Sequence, residues 1–171
     1  MADVAEGLVP PPAVDQSGNL TIWWVPTIAD VSAPKAATEI GAAGANRITY
    51  SFTPSGWALA GAQAKNPDER LTLEQSLEAL GKKTVTLVLD YVDSTDSKSA
   101  AVILTEGLSG YFVERRGIPN STLAAAAQKV RVIPVKLGAQ LPGAIDGNGK
   151  FTIHQEVALT GVVGAPVALA A

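Results

Sequence analysis

From Lys83 to Val92 the chain alternates with a period of two. Val85, Leu87, Leu89 and Tyr91 fall on one face of an extended segment, and Thr84, Thr86, Val88 and Asp90 fall on the other. The second face is only partly apolar, which suits a central strand packed on one side. Around this segment there is no regular succession of strand and long helix, so a parallel nucleotide-binding sheet is not expected. Other strands are expected at Leu20 to Val25, stopped by Pro26, and at Gly110 to Arg116. A further one runs from Lys129 to Leu137, and Pro134, which lacks an N–H, assigns it to an edge or a bulge. From Asn46 to Thr53, Ile48, Tyr50 and Phe52 alternate with Arg47, Thr49 and Ser51, which also reads as a half-buried strand. Asp146-Gly-Asn-Gly favours a tight turn into a closing hairpin. Its strand, Lys150 to Thr160, puts Phe151, Ile153, Val157 and Leu159 on one face, and a final strand runs through Val162 to Leu169.

Helical signals are few. The stretch from Ser32 to Gly41 fits one turn, with Pro34 near its start and Gly41 at its end. After the turn Asp93 to Ser97, a short helix capped by Asp96 or Ser97 would bury Ala100, Ile103 and Leu104 and stop at Gly107. Residues 54–70 read as a polar, irregular connection broken by Pro54, Gly56, Gly61 and Pro67; Arg70 to Leu80 fits a strand at its start, where Leu71 and Leu73 alternate, and also a helix, with Leu73, Leu77 and Leu80 at helical spacing before Gly81. Residues 1–18, with Pro10-Pro11-Pro12, read as an extended arm before a single domain at 19–171. The expected fold is mainly β (α+β): an antiparallel sandwich or partly closed barrel of six to eight strands, with one short flanking helix and a long polar loop or hairpin.

The chemistry of the chain narrows its function by exclusion. With no cysteine and one histidine, disulfides, thiolate chemistry and a zinc centre are not expected, nor is any cofactor. His154 reads as an ordinary strand histidine, and no Gly-x-Ser-x-Gly elbow accompanies it. Asp90, Asp93 and Asp96 are three apart, which reads as a solvated turn and not as the alternating ligands of a calcium loop. A formal net charge of −3 argues against a sequence-reading nucleic-acid binder. The apolar end, Val157 to Ala171, is too short to span a bilayer, so no membrane partner is expected. The acidic N-terminus does not read as a signal peptide, so synthesis and folding in a cytoplasm are expected. Charged residues make up only 17%, and a thinly charged surface points to one covered by partners. Two other classes stay open here: a sugar-binding sandwich using exposed Trp24 or Trp57, and a hydrolase built on two converging carboxylates. Adjacent Trp23 and Trp24 point to opposite faces of their strand, one into the core and the other under a helix or an interface.

The order of several segments resembles the major tail (tail tube) proteins of long-tailed bacteriophages, especially those infecting actinobacteria. These are Ser32-Ala-Pro-Lys-Ala-Ala-Thr-Glu-Ile, Ile48-Thr-Tyr-Ser-Phe-Thr with the polar segment to Arg70, and Gly81-Lys-Lys-Thr-Val-Thr-Leu-Val-Leu-Asp-Tyr-Val. Then come Leu104-Thr-Glu-Gly-Leu-Ser-Gly-Tyr-Phe-Val-Glu-Arg-Arg-Gly, Val132-Ile-Pro-Val-Lys-Leu-Gly, and Leu159-Thr-Gly in the last strand. The resemblance implies a non-catalytic virion subunit, assembled in the bacterial cytoplasm. Its copies would form stacked homohexameric rings around a tape measure protein, bounded by tail terminator and distal tail proteins, with DNA passing through without specific binding. For lumen or inter-ring contacts the candidates are Gln63, Lys65, Asp68, Glu69, Glu74 and Gln75, all in the polar connection.

Overall fold

The computed structural model describes residues 12–72, 74–143, 145 and 149–171. The expected arm at 1–18 therefore lies mostly outside the described residues, as do Asp146, Gly147 and Asn148 of the expected closing turn.

Eight antiparallel strands form one sheet: β1 (Leu20–Val25), β2 (Asn46–Arg47), β3 (Phe52–Asp68), β4 (Leu77–Val92), β5 (Ser109–Arg116), β6 (Lys129–Pro142), β7 (Thr152–Leu159) and β8 (Val167–Ala168). They lie in the order β2-β1-β5-β6-β7-β4-β3, and β8 pairs with the start of β6. Between β4 and β5 sits one short helix, α1 (Ala100–Ile103). A π-helical turn, Ala36–Ile40, ends at Gly41 where the sequence places its stop.

Successive residues of each strand take opposite faces, and the sheet carries one apolar cluster on each: over the concave face, and on the convex face only over β1, β5 and the start of β6. Ile22 and Trp24 on β1, Phe112 on β5, Ile133, Val135 and Leu137 on β6 and Leu87, Leu89 and Tyr91 on β4 form the core of the concave face, closed by Ala100 and Leu104 of the α1 region. Trp23, Val25, Val113, Val130 and Val132 point the other way and pack under Ile28, Ala36, Ile40 and Leu169. Each tryptophan of the adjacent pair is thus buried on its own side. Trp57 of β3, the last strand at one end of the sheet, meets Phe112 of β5 at 5.3 Å between ring centroids. Only a curled sheet brings those strands together, so this is the partly closed barrel form of the expected fold.

A polar clamp fixes α1 inside the curl. The Gln140 amide donates to the Tyr91 hydroxyl and to the carbonyls of Ala101 and Leu104. Buried Gln155 accepts from Tyr91 and donates to the carbonyls of Leu104 and Gly138. These bonds satisfy the end of a helix too short to satisfy itself. Burial also pushes the Tyr91 hydroxyl up to about 12, so it stays a neutral donor.

Several local expectations are corrected. Residues 46–53 are not one strand: a two-residue β2 is followed by a 3₁₀ turn at Thr49–Ser51, which buries Ile48 and leaves Tyr50 84% exposed. The irregular connection at 54–70 is instead the long strand β3, the hairpin of the two expected alternatives. Its breakers are tolerated because β3 is an edge strand and because residues 53–56 fall in a bulge between the pairs Phe52–Tyr91 and Trp57–Leu89. The strand expected from Arg70 begins only at Leu77. Residue Ser99, not Asp96 or Ser97, precedes α1, and its first N–H is met by the Ser51 hydroxyl from the 3₁₀ turn. Pro134 lies in an internal strand, between β5 and β7, not at an edge or a bulge. Its carbonyl accepts from Thr160 just past the end of β7, so the side lacking an N–H faces the place where pairing stops. Phe151 is 71% exposed, unlike Ile153, Val157 and Leu159, because it precedes β7.

Candidate assembly surfaces

The six candidate residues all fall on the β3–β4 hairpin. Its two strands pair without interruption, apart from one irregularity, from Trp57–Leu89 out to Asp68–Leu77. β4 pairs with β7 only from Val88 to Val92. Beyond that point the hairpin is a two-stranded ribbon with no other described strand on either side. Both its edges carry unpaired N–H and C=O groups: β3 along its length, β4 from Leu77 to Leu87. The contour of β3 is about 55 Å at ~3.3 Å per residue.

Among the candidates, Gln63 donates across the ribbon to the Gly81 carbonyl. Lys65 pairs with Glu78 at 2.9 Å, and Asp68 with Arg70 at 2.9 Å. Glu69, Glu74 and Gln75 sit at the tip and are exposed; none has a side-chain partner among the described residues. The tip also displays Leu71, 95% exposed, and the ribbon displays Leu80 and Leu77. Apolar side chains at this level of exposure on an unpaired ribbon form a surface of the kind that partners cover.

The second surface is the half of the convex face that no loop covers. The π-turn and the C-terminal segment cover β1, β5 and the start of β6. On the rest of the sheet most residues facing outward are small or polar: Ala58, Ala60, Thr84, Thr86, Lys136 and Glu156 are all exposed there, with Val88 half-buried among them. His154 lies in the same surface. Its Nδ1 is 2.7 Å from Asp90 Oδ1, and its Nε2 is 3.5 Å from Glu156 Oε1. The Asp90 hydrogen bond raises its pKa above the ordinary 6.5. Asp90 is thereby engaged with histidine, and Asp96 accepts from the Lys98 amide. Among the described residues no group of three or more histidine, aspartate or glutamate side chains converges as metal ligands would.

The third surface is the mouth of the curl. A cleft of about 980 Å³ opens there, lined by Leu20, Tyr50, Phe52, Pro54, Trp57 and Arg116 among others. Glu114 is nearly buried beneath it. It accepts from the Trp57 indole N–H at 3.0 Å, pairs with Arg116 at 2.6 Å and lies 3.5 Å from Arg131. Two guanidinium groups share one carboxylate, so this cluster keeps a positive charge. Sequence reasoning missed it, although Phe112 and Glu114 share a strand face, and a charge on a core-facing position was the available signal.

The tryptophans do not make a sugar platform. Trp24 is 3% exposed and packs edge-on against Phe112 at 5.1 Å. Trp57 is half-buried between Phe52 and Phe112, with its N–H committed to Glu114. Trp23 lies under the guanidinium groups of Arg47 and Arg115, at 5.2 and 5.0 Å. Arg115 is fully buried and ties down the following loop through the carbonyls of Pro119, Thr122 and Leu123. Burial, with Arg47 nearby, lowers its pKa.

Open strand edges and a bare sheet face define a β-sheet building block, a structural subunit made to be covered by other subunits. The phage tail tube protein family model matches residues 9–171, nearly the whole chain, and the chain belongs to that family. No curated protein matches. The family is structural and non-catalytic, and its members are virion components. No helix among the described residues is long and apolar enough to cross a membrane.

Proposed function

We propose that this chain closes into homohexameric rings that stack into the tail tube, with a tape measure protein in the lumen during assembly and DNA passing through afterwards. One observation carries this reading: the β3–β4 ribbon is open at both edges. An isolated two-stranded ribbon is marginal in water. Strands from neighbouring copies would complete its hydrogen bonding and cover Leu77 and Leu80.

The strands β6, β7, β4 and β3 then form the wall, with their bare convex face toward the lumen. Six copies of four strands at ~4.8 Å spacing give a circumference of about 115 Å and a diameter of about 37 Å before strand tilt widens it. A DNA duplex fits inside. The alanines and threonines of that face are neutral, and Asp90 and Glu156 offset His154 and Lys136 there, so the face presents no excess positive charge to hold phosphate. The tail terminator and distal tail proteins meet the last ring at each end of the stack.

The test is negative-stain microscopy of the concentrated protein and of the particle it comes from. Tubes of constant diameter with sixfold end-on views are expected. A monodisperse monomer at every concentration, and its absence from the tube wall in particles, overturns the reading.

A further inference from the structure

Two exposed apolar features lie at opposite ends of one strand. At one end of β3, Phe52, Pro54 and Trp57 line the cleft at the mouth of the curl, with Tyr50 84% exposed at its rim. At the other, beyond Asp68, the hairpin tip carries Leu71 at 95% exposure, flanked by the acids Glu69 and Glu74. Those acids have no side-chain partner among the described residues. The cleft offers the matching charge: Arg116, 66% exposed, shares Glu114 with Arg131, so the pair of arginines is not neutralised. Asp15, the acid in the lining, is turned to the Ser17 amide.

We infer that the hairpin tip of one copy docks in the mouth cleft of the next, with Leu71 against Tyr50 and Trp57 and an acid of the tip against Arg116. The contour of β3, about 50 Å between the two features, rules out this contact within one chain. Joining a tip to a cleft on another copy is a heterologous contact. It consumes one tip and one cleft and leaves one of each, so it does not end in a closed dimer; with ring closure assigned to the ribbon edges, it propagates as an open stack. The inference rests on the self-assembly reading above and adds to it the receiving surface and the direction of stacking.

The absence of cysteine in the chain makes the test clean. In full-length protein carrying Leu71→Cys and Tyr50→Cys together, oxidation after concentration is expected to give a ladder of disulfide-linked multimers on a non-reducing gel. Each single variant is expected to stay monomeric on the same gel. Leu71→Asp is expected to leave rings but abolish stacked tubes in micrographs. Tubes without a ladder in the double variant overturn the docking inference and leave the tube reading standing. A single variant that crosslinks to dimer overturns the head-to-tail geometry. Crosslinking of Tyr50→Cys to a cysteine placed at Leu8, with no ladder from Leu71→Cys, assigns the cleft to the chain's own N-terminal segment and overturns the inference. Neither ladder nor assembly overturns both.

Discussion

His154 is held by carboxylates on both ring nitrogens, and the hydrogen bond to Asp90 is the larger influence on its charge. Its folded-state pKa lies above the ordinary 6.5. The protonated form is the one the fold favours, so its contribution to stability is complete below about pH 6.5 and fades as pH rises through the folded-state midpoint. The side chain is 37% exposed, so solvent screens most of this and the effect on stability is small. An NMR titration of the single histidine is expected to give a midpoint above 6.5, and Asp90→Asn is expected to bring it down. An unchanged midpoint in that variant would remove Asp90 as the cause. The histidine was legible in the sequence as a strand residue, but its partner was not, since Asp90 and His154 meet only through the β4–β7 register. The 3₁₀ turn at Thr49–Ser51 was also hidden. The Thr49 hydroxyl accepts from the Ile22 amide and the Ser51 hydroxyl caps α1, and these long-range bonds override an alternating pattern.

Among the elements, the hairpin separates folding from assembly. Its outer part is exposed, and among the core residues it reaches only as far as Leu59 and Val85. Replacing residues 63–83 by Asn-Gly between the paired Ala62 and Thr84 makes a two-residue turn and keeps every core contact. That variant is expected to remain a folded monomer, with a melting temperature within a few degrees of the parent by circular dichroism. It is also expected to form no tubes at any concentration. Loss of folding would show instead that the ribbon stabilises the monomer. The sequence placed β4 well from Lys83 on, because burial imposes alternation there. It concealed the outer half of the hairpin, where no described side chain is buried within the chain and no pattern is demanded.

For the molecule as a whole, one clasp across the curl is Trp57 of the terminal strand, which reaches Phe112 and Glu114 on β5. Trp57→Ala removes a half-buried ring and one hydrogen bond to a buried carboxylate, and is expected to cost about 2 kcal/mol in urea unfolding. Trp57→Phe keeps most of the ring contact and loses the N–H, for about 1 kcal/mol. Equal losses in the two variants would show that the hydrogen bond, and not closure of the curl, is what matters.

By itself the amino-acid sequence determined what local periodicity and chemistry can encode. It determined the mainly β fold, the strands buried on at least one face, the turn that ends at Gly41, and a family resemblance that the match over residues 9–171 bears out. Only the tertiary structure decided which strand ends the sheet, that the polar connection is an edge strand, and that Glu114 and Trp57 meet across the curl. The reason is physical. A side chain's alternation is set by its nearest neighbours along the chain, whereas an edge, a clasp and a cleft exist only once strands far apart in sequence have been brought side by side.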